Sequence, residues 1–141
     1  MDISNAFKVC GSALAVQRTK MDVIASNLAN ADVARTEDGG PYRKKIVVLS
    51  SEPAGGAFDD ALGDAMKTVK VSEIIEDASP PRMVHNPSHP DANADGYVAM
   101  PNVNVMSEMA EMIVVSRAYE AMVTAFDTTK NMALKTLEIG K

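Results

Sequence analysis

The sequence predicts an α+β chain, with long N- and C-terminal helices forming an antiparallel coiled-coil-like pair and a small β-rich insert between them. Residues 104–139 contain no proline or glycine, and their apolar positions recur at alternating steps of three and four. Residues 3–30 show the same periodicity at the other end. Between them, short apolar runs with period-two character are broken by Pro and Gly. The organisation expected is therefore an N-terminal helical segment 1–34, an insert 35–103 and a C-terminal helical segment 104–141.

Composition limits the kind of core. The chain has 141 residues, a net charge of −5 and 46% hydrophobic residues, but no Trp, three Phe, three Tyr and ten Met. Aromatic rings usually dominate core energetics, so a core of Ala, Val, Leu and Met is expected to be thin and helical. Met is unbranched and suits both irregular cores and adaptable surfaces. Cys10 is the only cysteine, which excludes an intrachain disulfide and a multi-cysteine metal site, and its place on an apolar face reads as a small buried hydrophobe. No apolar run approaches the ~18–20 residues of a membrane span. Asp2, Asn5 and Lys8 interrupt the N-terminus, so no cleaved secretory signal is expected. Residues 35–104 carry seven positive and eleven negative charges, with no basic patch interleaved with aromatics, which argues against a nucleic-acid partner.

In the first helix, Phe7, Cys10, Leu14, Met21, Ile24 and Leu28 share one face, and Val9, Ala13, Val16 and Val23 the adjoining one. The polar strip is Lys8, Ser12, Arg18, Thr19, Asp22 and Ser26. Thr36, Asp38, Gly39, Gly40 and Pro41 then mark a turn. Tyr42–Ser50 reads as a strand, Ser51–Gly56 as a loop, Phe58–Met66 as a short helical turn and Thr68–Glu76 as a second strand. Pro80, Pro81, Pro87 and Pro90 exclude regular helix and favour an extended path. Gly96–Met100 is a third short strand, closed by Pro101.

The last helix begins with Asn104 or Ser107 as N-cap and ends at Gly140 as C′. Glu108 and Glu111 near its start and Lys135 near its end suit the macrodipole. Its periodic positions are Met109, Met112, Ser116, Tyr119, Val123, Phe126, Ala133 and Leu137, with Lys130 the one break. Val114, Ala121, Ala125, Met132 and Ile139 form a second apolar side. The expected length is roughly 50 Å, more than a compact domain of this size needs.

Both apolar arcs span about 200°, whereas a surface helix on one core needs only ~100° or a little more. An antiparallel pair buries about one face of each helix, so each keeps a second apolar face. Either the β insert folds back over those faces or they are interaction surfaces. The insert is too small to cover two helices of ~45 Å, and assembly through the terminal helices is the expectation.

No constellation supports catalysis. Asp91-Ala92-Asn93-Ala94-Asp95-Gly96 matches the first half of an EF-hand loop, but Asn102 stands where a bidentate Glu is required, and the flanks are not helices. Asx-turn chemistry ahead of a strand accounts for the same residues. His85 and His89 have the spacing of zinc ligands on a helix, which Pro87 and Pro90 prevent from forming. Gly39-Gly40 and Gly55-Gly56 lack the Lys and following helix of a phosphate loop. Arg43, Lys44 and Lys45 read as a solvated strand start. No cofactor or metal is expected. The functional alternatives at this level are a helix-mediated structural subunit and a calcium-binding or adaptor module.

Specific residues sharpen this choice. Ser12-Ala13-Leu14-Ala15 and Met21 through Ser26-Asn27-Leu28-Ala29-Asn30-Ala31 resemble the N-terminal signature of the axial proteins of the bacterial flagellum. Gly39–Lys45, Ser79–Arg82, His89-Pro90-Asp91, Asp95–Val103 and Ser116-Arg117-Ala118-Tyr119-Glu120 through Lys135 resemble the short proximal-rod members of that family. Ala31-Asp32-Val33-Ala34 replaces the Asn-Thr run common in the wider family, and residues 51–67 carry no motif. The resemblance implies a non-enzymatic subunit of a helical tube, in the rod that crosses the periplasm, exported by the flagellar type III apparatus without cleavage. The implied partners are further copies, other proximal- and distal-rod proteins and a base adaptor, with no membrane insertion. The residues expected at packing or assembly interfaces are Phe7, Leu14, Met21, Ile24, Leu28, Met109, Met112, Tyr119, Val123, Phe126 and Leu137.

Overall fold

The computed structural model describes residues 3–37, 39–53 and 67–139. Among these, helices α1 (Ile3–Ala29) and α2 (Val105–Ile139) flank strands β1 (Lys45–Pro53), β2 (Lys67–Glu76), β3 (Arg82–His85) and β4 (Tyr97–Met100). The readings of Phe58–Met66 as a helical turn and Gly140 as C′ lie outside the described residues.

The helices are antiparallel. The Phe7 ring meets Phe126 edge-to-face with centroids 5.0 Å apart, while at the other end the Asn27 amide bonds Glu108. Both helices rise equally per residue, so the start of α1 lies level with about residue 131 of α2. The last turns of α2 therefore outrun α1. Asn104 caps α2 by accepting the Ser107 N–H on Oδ1 at 3.2 Å, which selects it over Ser107 as N-cap.

The seam of α2 is rotated from the one its apolar spacing suggests. Glu108, Met112, Val115, Tyr119, Met122, Phe126, Thr129 and Ala133 are the buried and half-buried line. They step by four and three throughout, as a coiled-coil seam requires. Met112, Tyr119, Phe126 and Ala133 are shared with the expected line, but Val115 is buried where Ser116 is only half-buried, and Met122 is half-buried where Val123 is exposed. Lys130 no longer breaks the pattern, because Thr129 occupies that place.

On α1, the exposed line is Ser4, Lys8, Gly11, Ala15, Arg18, Asp22, Ala25 and Ala29. Ser12 and Thr19, read as part of the polar strip, are instead half-buried, with hydroxyls donating to the carbonyls of Val9 (2.8 Å) and Ala15 (3.1 Å). The hairpin β1–β2 explains this, because Glu52, Pro53 and Thr68–Val71 lie along Ser12, Val16 and Thr19 across a groove of about 610 Å³. The insert therefore does fold back, but over α1 rather than α2.

β1 pairs antiparallel with β2 from Lys45↔Glu76 to Pro53↔Lys67, with a register shift at Val48/Leu49. Ser51–Pro53, read as a loop, continues β1; Pro53 is tolerated because it is the strand's last residue. The second hairpin pairs β3 with β4 from Arg82↔Met100 to His85↔Tyr97. β3 lies in the proline-rich stretch that reads only as extended, since four residues between Pro81 and Pro87 carry too little alternation to mark a strand. Gly96 turns the chain into β4 at φ +78°, and an added Cβ would lie 3.0 Å from Pro87 Cγ. Ala31, Tyr42 and Val103 form a small core where the chain leaving α1 meets the chain entering α2.

A candidate assembly surface and the polar pin beside it

Asn27 is the centre of the polar chemistry in this molecule. It lies near the end of α1, 1% exposed, and every hydrogen-bonding position of its amide is used. Oδ1 accepts from the Tyr42 hydroxyl (2.9 Å) and from the Lys45 N–H (2.9 Å). Nδ2 donates to the Lys45 carbonyl (3.0 Å) and to Glu108 Oε2 (3.1 Å). The side chain thus pairs with the first residue of β1 as a neighbouring strand would, and links α1, β1 and α2 at one point. Two acceptor and two donor contacts fit only one orientation of the amide.

Glu108, also 1% exposed, completes the cluster: Lys44 Nζ lies 2.6 Å from its Oε1. A buried carboxylate requires such partners, since an uncompensated charge would be expelled. The hydrogen bond to Glu108 raises the Lys44 pKa, opposed by partial burial and reinforced by the charges of Glu108, Glu111 and Asp77. Lys44 is itself anchored, its N–H donating to Asn102 Oδ1 (3.1 Å) and its carbonyl accepting from the Asp77 N–H (2.8 Å).

The other motif residues support this corner. Asn30 Nδ2 donates to the Ser26 carbonyl at 2.8 Å, and Ser26 Oγ lies 3.4 Å from the Tyr42 hydroxyl. Leu28 is half-buried and Ala29 exposed. In α2, Ser116, Ala118 and Tyr119 are half-buried, while Arg117 pairs with Glu120 at 3.1 Å on the surface.

The residues expected at interfaces divide into two sets. Ile24 is buried, and Phe7, Leu14, Met21, Leu28, Met112, Tyr119 and Phe126 are half-buried within the chain. Met109 (51%), Val123 (39%) and Leu137 (71%) face outward. Met106, Ile113, Val114, Met132 and Leu134 are also exposed, so α2 presents apolar surface along its length. These residues fall in two groups, 106–114 and 132–137, with Val123 between them, and exposed apolar groups of this kind mark interaction sites in soluble proteins.

Tyr42, Lys44 and Glu108 are absent from the residues expected at the site. Glu108 reads as a dipole-compensating charge and Lys44 as solvated. The available signal was that Glu108 falls on the heptad of Met112, Val115 and Tyr119. In the half EF-hand loop, Asn93 Oδ1 accepts from the N–H groups of Asp95 (3.0 Å) and Tyr97 (2.8 Å), the expected Asx-turn arrangement. Asp91 faces Arg35 at 3.4 Å. Among the described residues, no group of three or more His, Cys, Asp or Glu is placed to hold a metal, and no helix is long and apolar enough to cross a membrane.

Comparison with known proteins matches both ends of the chain. A family model described as "Flagella basal body rod protein" matches residues 7–35, and one described as "Flagellar basal body rod FlgEFG protein C-terminal" matches residues 94–139. The flagellar basal-body rod protein FlgC of Bacillus subtilis (strain 168) is 45% identical over 152 residues, covering 100% of both chains. The chain belongs to the FlgC family of flagellar basal-body rod proteins. FlgC of Salmonella typhimurium is likewise 45% identical over 141 residues with 100% of both chains covered, and that of Borreliella burgdorferi is 37% identical over 149 residues, covering 99% of this chain and 98% of the relative. The Asn27 pin falls within the first family match, and Glu108 within the second.

Proposed function

We propose that the chain is a structural subunit of the proximal flagellar rod, polymerising into a tubular drive shaft that transmits torque from motor to hook. The observation that carries this reading is the apolar surface of α2, left open in a chain whose full-length relatives are rod proteins. Packing an apolar stripe against neighbours gives a stiff tube wall, because helices interdigitate at fixed angles and resist twisting. In this reading residues 1–34 and 104–141 build the inner tube, and residues 35–103 form an outer layer against neighbouring subunits.

The partners are further copies of the chain, the other proximal- and distal-rod proteins and a base adaptor, within the basal body where the rod crosses the periplasm. The chain reaches that place through the flagellar type III export apparatus without cleavage of a leader, and it catalyses no reaction. Electron microscopy of basal bodies from a strain carrying a tagged chain tests the assignment. Label on the rod is expected; intact rods without label would overturn it.

A further inference from the structure

Three of the ten Met stand close together at even spacing, Met106, Met109 and Met112, in the first turns of α2. Met106 is 76% exposed and Met109 51%, while Met112 is half-buried. Residues three apart on a helix are neighbours, with Cβ atoms about 5–6 Å apart. Met106 and Met112 are separated by about 9 Å along the axis, with Met109 midway between them. The Met side chain is unbranched and has three rotatable bonds, so all three thioethers can turn towards one point beside Met109.

The side-chain donors around Met109 on α2 are sulfur. Its helical neighbours at three and four residues are Val105, Met106, Met112 and Ile113, none of which carries a side-chain oxygen. Glu111 falls about 160° from Met109 round the helix, and the Glu108 carboxylate is held by Lys44 and Asn27. Hard cations such as Ca²⁺ and Mg²⁺ require oxygen ligands, whereas thioethers select Cu(I). We infer that Met106, Met109 and Met112 form a binding site for a soft monovalent cation, Cu(I), with Met109 as the central ligand. The positive end of the α2 dipole disfavours any cation here, so the ion is held by its bonds to sulfur rather than by charge. The ligand set is local in sequence, and it needs neither the pairing of the two helices nor the rod reading. Met109 also belongs to the apolar face offered to rod neighbours, so the ion and a neighbouring subunit are alternatives at this residue.

The test uses the full-length chain with Cys10→Ala, which removes the only thiol, and titrates Cu(I) under reducing conditions against a chromophoric Cu(I) chelator. Met109→Leu should weaken binding by about tenfold or more, and Met106→Leu combined with Met112→Leu by at least as much. Leu is close to Met in volume, so these substitutions remove sulfur with little change in packing. Met83→Leu combined with Met132→Leu removes two other exposed thioethers and should leave the affinity within about twofold. Unchanged affinity when Met106, Met109 and Met112 are all replaced by Leu would overturn the inference, as would an equal loss in the Met83 and Met132 control. Met109→Leu keeps the face apolar and should leave motility intact, so loss of the ion and failure of the rod reading are told apart.

Discussion

Asn27 shows how much a single side chain can decide. Its amide satisfies the first backbone groups of β1, which would otherwise face the end of α1 unpaired, and it also holds Glu108. Asn27→Ala is expected to cost about 1–3 kcal/mol, because it leaves buried donors and acceptors without partners. Urea denaturation followed by circular dichroism measures this. Lys44 adds a pH dependence whose sign follows from its raised pKa. Its contribution is complete below the ordinary value of 10.5 and is lost as pH rises through the higher folded-state value. In Lys44→Met that alkaline loss should disappear from a melting-temperature profile. Asp77 acts at the opposite limit: hydrogen bonds from Ser79 lower its pKa, so its small surface contribution is present above 3.8 and lost as pH falls through the lower value.

At the level of elements, the helix pair is held at both ends by contacts of different kinds. The Phe7–Phe126 contact is aromatic and half-buried, and a double-mutant cycle with Phe7→Ala and Phe126→Ala should give a coupling of about 0.5–1.5 kcal/mol. The small hairpin β3–β4 depends instead on backbone geometry. Gly96 combines a left-handed φ with the approach of Pro87 and His85, so Gly96→Ala should destabilise the chain by about 1–3 kcal/mol, visible as a lower denaturation midpoint.

The molecule as a whole is asymmetric in what it covers. β1–β2 shields one side of α1, while α2 relies on α1 alone among the principal packing contacts and keeps an outward apolar surface. Substitutions there should separate folding from assembly. Met109→Asp and Leu137→Asp are expected to change the stability of the free chain by no more than about 0.5 kcal/mol, as exposed sites usually do. The same substitutions should abolish rod assembly and motility, scored by swimming halos and electron microscopy of basal bodies; normal motility would remove this face from the interface. Phe126→Asp should impair both, since its ring is already packed against Phe7 within the chain.

The amino-acid sequence by itself determined the α+β class, both helices to within a residue or two and the flagellar family, and it narrowed the N-cap of α2 to Asn104 or Ser107. Those features rest on local signals: periodicity, capping chemistry and motif residues at fixed spacing. It also marked the strand Thr68–Glu76 and the Asx turn at Asn93, for the same reason. Strand β3, Arg82–His85, was not legible because its identity as a strand comes from pairing with Tyr97–Met100, not from its own pattern. Tertiary structure alone decided which face of each helix is covered. The hairpin lies over α1, where Asn27 binds the start of β1, and α2 turns Val115 inward on the face that carries Glu108 to Lys44 and Asn27. Both outcomes involve contacts between residues distant in sequence, and apolar arcs about 200° wide do not by themselves say which part of the arc a neighbouring element covers.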